Sequence, residues 1–264
     1  MHKLTSLVVS SLITTTLFAC RPALERELVE VDGRQVEIAT RGTTGPSVVL
    51  EAGLGGDYSV WEAVASRIPE RARVFAWSRP GNGASTPADA PRDAAHIVEE
   101  LHAVLIARGV TAPWVLVGHS FGGGYVEFFA RRYPSEVAAL VLVDERHRDF
   151  SAQCAAAGLS GCGIPPAAVP GLPEVQQREL AGYDALSGEM AQEAPRFGPF
   201  PVRVLIATEH PPHDAAREAL WRGLLESLAA EADDGRTIVL TGAGHNLHAE
   251  RPDDVANTIR DVLP

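Results

Sequence analysis

The chain has 264 residues, 45% hydrophobic and 22% charged, enough apolar material to bury a sizeable core in one large domain or two small ones. Its net charge at pH 7 is −11 and no basic stripe runs through it, which excludes a nucleic-acid-binding surface. An acidic balance of this size favours solubility and carries no fold information.

The first element in chain order is a leader. Lys3 precedes the run "LTSLVVSSLITTTLFAC", which is too short and too rich in Ser and Thr for a membrane span. A positive charge, an apolar stretch and a small residue near the cut read as a signal peptide over residues 1–19. Leu17-Phe18-Ala19-Cys20 resembles the bacterial lipobox, in which the cysteine becomes a lipidated N-terminus, with ordinary cleavage nearby as the alternative. The expected product is exported: anchored through Cys20 to a bacterial membrane, facing the periplasm or exterior, or secreted if unlipidated. Residues 20–26 are expected to be a tether.

Residues 28–39, "LVEVDGRQVEIA", read as two alternating strands around Asp32-Gly33, a strong hairpin signal. Apolar strands then alternate with longer amphipathic stretches. Strands are expected at 47–53, 73–78, 114–119, 137–144, 202–208 and 237–242, and helices at 91–108, 121–132, 214–230 and 252–263. The continuous Val, Leu and Ile content suits strands covered on both faces. The pattern predicts an α/β fold: a mostly parallel twisted sheet, helices on both faces, right-handed crossovers.

One segment breaks the rhythm. Residues 145–200 hold no convincing strand and are rich in Pro, Ala and Gly. An insertion of this size between core strands predicts a cap over a site, with helices at 174–182 and 183–193. The core is then 27–144 plus 201–264. Of three cysteines, Cys154 and Cys162 remain as a pair if Cys20 carries lipid. Seven residues separate them in a glycine-bearing loop, and in an oxidising compartment a disulfide is expected.

The chemistry concentrates at Gly118-His119-Ser120-Phe121-Gly122. This is G-x-S-x-G between an apolar strand and an amphipathic helix, the setting in which a serine hydroxyl is pushed above a sheet edge on a sharp turn. Ser120 is therefore the candidate nucleophile. Its base should come from a loop at the same carboxyl edge, after the last strand. His245 stands there just after Gly242 and Gly244, which allow a tight approach, and is preferred to His248, which is expected to face the first turn of the final helix. His119 is expected to point away from Ser120 by strand alternation, as a packed or hydrogen-bonded residue.

With these residues in view the chain, from about residue 27 to 264, resembles the α/β-hydrolase fold family. The motifs that carry the likeness are "LEAGLGGDYSVWEAV", "RVFAWSRPGNGAST", "GHSFGG", "VAALVLVDERHRD" and "GAGHNLHAERPDDV". The resemblance implies an oxyanion hole made by the backbone N–H groups of Leu54 and Phe121. It also implies an acid to orient His245. The usual position follows the strand at 202–208, where only Glu209 and Asp214 are at hand. Some relatives take the acid from the end of the preceding strand, and there Asp144, ending a five-residue run "LVLVD", is preferred. Ser78 departs from the family pattern, since many relatives carry an acid before the Arg-Pro-Gly turn, and this puts the local bonding in question. Glu51, inside an apolar strand, is expected to pair with Arg79.

The expected activity is hydrolysis of a carboxylic ester through an acyl-enzyme, on a small-molecule substrate of short to medium chain, by a monomer without cofactor. No metal is implied, because no HExxH or Cys/His cluster is present. Lactonase, amidase or peptidase action on the same triad, and ligand binding without turnover, are the alternatives. Apolar cap residues (Leu159, Ile164, Leu172, Leu180, Leu186, Met190, Phe197, Phe200) either line the pocket or pack the cap itself.

Overall fold

The computed structural model describes residues 24–264, so the expected leader, Cys20 and most of the expected tether lie outside the described residues. The hairpin is longer than its sequence signal. Strand β1 (Glu25–Val31) pairs antiparallel with β2 (Arg34–Arg41) from Glu25↔Thr40 to Val31↔Arg34. The core therefore starts inside the segment expected to be tether. Asp32 and Gly33 between them have φ of 51° and 75°. Two successive positive φ values match the right-handed twist of the flanking strands, which is why Asp-Gly occupies the turn.

The remaining strands are β3 (Ser47–Glu51), β4 (Arg73–Trp77), β5 (Trp114–His119), β6 (Val137–Val143), β7 (Val202–Glu209) and β8 (Gly235–Gly244). All fall where apolar runs placed them. Their order in one eight-stranded sheet is β1-β2-β4-β3-β5-β6-β7-β8. β2 pairs antiparallel with β4, and every later pair is parallel.

The helices are α1 (Glu62–Ala65), α2 (Ala94–Ala107), α3 (Phe121–Arg132), α4 (Phe150–Ala156), α5 (Glu174–Tyr183), α6 (Leu186–Met190), α7 (Ala215–Ala229), α8 (Leu247–Glu250) and α9 (Pro252–Asp261). Four differ from expectation: α1, α4 and α8 are new, and α6 is shorter. The helix expected at 183–193 is only the five residues of α6, and α4 carried no clear sequence signal.

Two cores sandwich the sheet, and strand alternation sorts residues between them. On one side Val49, Phe75, Leu116, Leu140 and Val204 meet α2, α3 and α7. On the other Val48, Leu50, Val115, Val141 and Leu205 meet α1, α8 and α9. With both faces covered, a strand needs apolar residues at every position, which explains the unbroken runs. No helix among the described residues is long and apolar enough to cross a membrane.

The segment 145–200 contains α4, α5 and α6 and no strand among its described residues. Cys154 and Cys162 form a disulfide with Cα atoms 5.6 Å apart. A buried ion network ties α5 to the sheet. Arg79 donates from Nε and Nη2 to the two oxygens of Glu179 at 2.9 and 2.8 Å, and from Nη1 to Glu51. Asn82 adds a hydrogen bond to Glu179 at 3.0 Å. Burial alone would lower the Arg79 pKa, but Glu179 and Glu51 raise it, so the guanidinium stays charged. The expected Glu51–Arg79 pair is present, with a cap residue added to it.

Ser78 keeps its place in a polar cluster by borrowing an acid from another strand. Its hydroxyl donates to Glu37 Oε2 at 2.8 Å, and the Ala84 N–H donates to the same oxygen at 2.9 Å. Glu37 on β2 thus supplies the carboxylate that the sequence lacks at position 78.

Candidate active site

The parallel sheet brings three strand ends to one edge. Ser120 follows β5, Asp144 follows its neighbour β6, and His245 follows β8. Ser120 has φ 52° and Asp144 has φ 45°, a left-handed conformation that costs non-glycine residues of order 1 kcal/mol or more. Both are held there by backbone bonds: the Ser120 N–H donates to the Val143 carbonyl at 3.3 Å, and the Asp144 N–H to the Leu205 carbonyl at 2.9 Å.

The turn requires bare backbone beside the serine. A Cβ on Gly122 would lie 2.4 Å from the Ala52 carbonyl oxygen, and one on Gly118 would lie 2.3 Å from the Gly122 oxygen. Helix α3 can approach β5 and the end of β3 only because these Cβ atoms are missing.

The three side chains form a chain of hydrogen bonds. Ser120 Oγ lies 2.9 Å from His245 Nε2, and His245 Nδ1 lies 2.7 Å from Asp144 Oδ2. With the imidazole proton on Nδ1, Nε2 is free to accept the serine hydroxyl proton. Asp144 is fully buried and takes two further donors on Oδ1, the Ala207 N–H at 2.9 Å and Trp221 Nε1 at 3.1 Å. Burial opposes its ionisation, yet hydrogen bonds and charge from His210 and His245 hold its carboxyl well below the ordinary range.

The alternative acids are engaged elsewhere. Asp214 caps α7, accepting from the N–H groups of Ala216 and Arg217 at 3.0 and 2.9 Å. Glu209 ends β7 and meets His213 at 3.4 Å.

His210 went unnoticed in the sequence. Its Nε2 lies 2.7 Å from Asp144 Oδ2, the oxygen that also receives His245, and its Nδ1 lies 2.7 Å from Glu218. Burial alone would lower its pKa, but the bonds to Asp144 and Glu218 raise it to about 9, making it a cation at neutral pH. The available signal was a histidine at the catalytic sheet edge in "ATEHPPHD".

Asp144, His210 and His245 also present ligand atoms within 4.8 Å of one another, as a metal site would. Their 2.7 Å separations are those of direct hydrogen bonds, and each nitrogen aimed at the carboxylate serves as a donor.

Leu54 and Phe121 line the same cavity as Ser120 and His245, about 360 Å³ in volume. Phe121 is the first residue of α3, so its N–H is one of those a helix leaves without an internal acceptor. Ile164 from the cap lines this cavity, whereas Leu186, Met190, Phe197 and Phe200 are buried in the core.

His119 is hydrogen-bonded as expected but departs from expectation in direction. His119 does not turn away: it lines the cavity beside Ser120 and bonds the His245 carbonyl through Nε2 at 3.0 Å. Alternation holds only within a strand, and the positive φ of Ser120 ends it. His248 lies on α8, with its ring 4.4 Å from that of His119 and 5.6 Å from that of Trp61. Burial lowers its pKa to about 4.

Together these features define a protein of the α/β-hydrolase fold. The alpha/beta hydrolase fold family matches residues 46–176. The chain is similar to YqjL of Bacillus subtilis, 26% identical over 84% of this chain and 85% of that one. Among solved structures it superposes on a membrane phospholipase A, a bacterial virulence factor, with TM-score 0.64 and 23% identity over 91% of this chain and 86% of that one. It also superposes on an epoxide hydrolase of Vigna radiata, TM-score 0.67 at 18% identity, over 90% and 98% of the two chains.

Proposed function

We propose that the protein is a serine hydrolase that cleaves a carboxylic ester through an acyl-enzyme. The observation that carries this reading is the hydrogen-bonded chain Ser120–His245–Asp144, with Ser120 and His245 at the wall of one cavity and Asp144 buried behind them. Ser120 Oγ attacks the ester carbon while His245 Nε2 takes its proton. The oxyanion is received by the N–H groups of Leu54 and Phe121. His245 then returns the proton to the departing alkoxide, and the acyl group stays on Ser120. Water, deprotonated by His245, attacks the acyl carbon, and Ser120 leaves with the proton. Asp144 keeps the imidazole in its working tautomer and stabilises the imidazolium.

Fold alone does not choose among reactions. Epoxide opening by Ser120 would leave an alkyl ether with no carbonyl for water to attack, so turnover on a serine nucleophile favours an acyl substrate. The disulfide favours an oxidising compartment, in keeping with export, with Cys20 as lipid anchor and a monomer as the working form.

The test is p-nitrophenol release from p-nitrophenyl butyrate by the wild type and by Ser120→Ala. Turnover abolished in the variant, with the circular dichroism unchanged, supports the reading. Equal turnover in both refutes it.

A further inference from the structure

Ester chemistry leaves open which ester, and Arg146, two residues after Asp144, bears on the choice. Its main chain is fixed from two sides. The Arg146 N–H donates to the Ser120 carbonyl at 3.2 Å, and the Tyr183 hydroxyl donates to the Arg146 carbonyl. The guanidinium uses one nitrogen on neutral oxygens: Nη2 donates to Ser151 Oγ at 2.6 Å and to the Cys162 carbonyl at 3.0 Å. Its Cζ lies 5.6 Å from the Phe121 ring centre and 5.8 Å from that of Phe150.

Among the described residues no carboxylate forms an ion pair with Arg146. The other cations drawn into this half of the molecule all have one: Arg79 with Glu51 and Glu179, Arg131 and Arg148 with Glu127. A guanidinium largely withdrawn from water without a counter-charge is costly, so its place asks for an anion from outside. Nε and Nη1 have no partner among the described residues and remain available to donate to the oxygens of an anion.

The surroundings agree. Arg146 lines the cavity of Ser120 and His245, and also an adjoining cavity of about 220 Å³ shared with His210, Arg217 and Glu218. Glu218, the one carboxylate lining it, already pairs with His210 at 2.7 Å and with Arg217 at 3.9 Å. The second cavity is thus cationic in a chain whose net charge is −11.

Building on the ester reading, we propose that Arg146 binds a carboxylate carried by the substrate, so that the preferred esters are anionic. The loop closed by Cys154–Cys162 holds the guanidinium through the Cys162 carbonyl.

The experiment compares two ester pairs. Mono-p-nitrophenyl glutarate against p-nitrophenyl pentanoate places the charge on the acyl side. 4-Acetoxybenzoate against phenyl acetate, corrected for alkaline reactivity, places it on the alcohol side. In the wild type kcat/KM should favour the anionic member of at least one pair by about tenfold or more. Arg146→Gln should lower that ratio about 10- to 100-fold, and Arg146→Lys should keep part of it. A ratio is insensitive to loss of folded protein. In parallel, glutarate should raise the Tm of the wild type and not that of Arg146→Gln. Wild-type ratios near one, or a ratio unchanged in Arg146→Gln, overturn the proposal. If none of the four esters is cleaved, the ester reading fails, and glutarate alone decides. Arg146-dependent stabilisation would then uphold the anion site, and its absence would overturn it.

Discussion

Replacing His210 by glutamine should remove a pH-dependent part of the folding free energy. In the folded protein His210 sits between two carboxylates, Asp144 and Glu218, each at 2.7 Å, and its pKa rises from 6.5 to about 9. At about 1.4 kcal/mol per pH unit that rise bounds the contribution at about 3 kcal/mol. The side chain is 14% exposed, so water screens part of it, and about 2 kcal/mol is the working figure. Because the folded pKa lies above the unfolded one, this stability is present in full below about pH 6.5. It is lost as pH rises through about 9. Urea unfolding followed by tryptophan fluorescence at pH 6 and pH 10 measures it. The wild type should lose about 2 kcal/mol more between these pH values than His210→Gln does, since other groups titrate alike in both. If the two proteins lose equal stability, His210 is not held as a cation by Asp144, and the electrostatic account of that carboxylate is wrong.

Glu179→Gln keeps the shape of the cap anchor and removes its charge. Breaking a buried pair typically costs about 3–5 kcal/mol, which should appear as a lower melting temperature and earlier proteolysis of the cap. Gly122→Ala should fail to accumulate as folded protein, because its Cβ would meet two backbone oxygens, of Ala52 and Glu51. Gly223→Ala, in the middle of α7 with nothing within 4 Å of the new atom, should instead gain about 0.5–1 kcal/mol. Reducing the Cys154–Cys162 disulfide frees a short loop, and chain entropy sets the loss at about 2–3 kcal/mol. Melting with and without dithiothreitol tests that figure. Substrate affinity should weaken in parallel, because the Cys162 carbonyl holds Arg146.

What could be read from the sequence was whatever a local pattern determines. Strands buried on both faces write themselves as apolar runs, so β3 to β8 were legible to within a few residues. Ser120 was legible because it sits at a strand end among glycines that close packing requires, and His245 because it directly follows the last strand. Asp144 could be preferred over Glu209 and Asp214 since a carboxylate ending an apolar strand must find partners. Partnerships across the sheet were not legible. That Glu37 answers for Ser78 depends on β2 lying beside β4, a pairing no local pattern reveals. His210 reaches Asp144 only because β7 lies next to β6. The orientation of His119 depended on one dihedral angle at Ser120.

The ion network of Glu51, Arg79 and Glu179 sets a rule for exchanging parts. Arg79 and Glu51 belong to the sheet side, and Glu179 to α5. A foreign cap grafted between residues 145 and 200 without an acid at that point would leave Arg79 with one buried counter-charge instead of two. Shape would fit while charge did not. Chimeras should therefore sort by whether the inserted helix presents a carboxylate there, before any difference in pocket lining is felt. Selection for new substrates can vary the loop that carries Arg146 and Ile164 far more freely than the helix that carries Glu179.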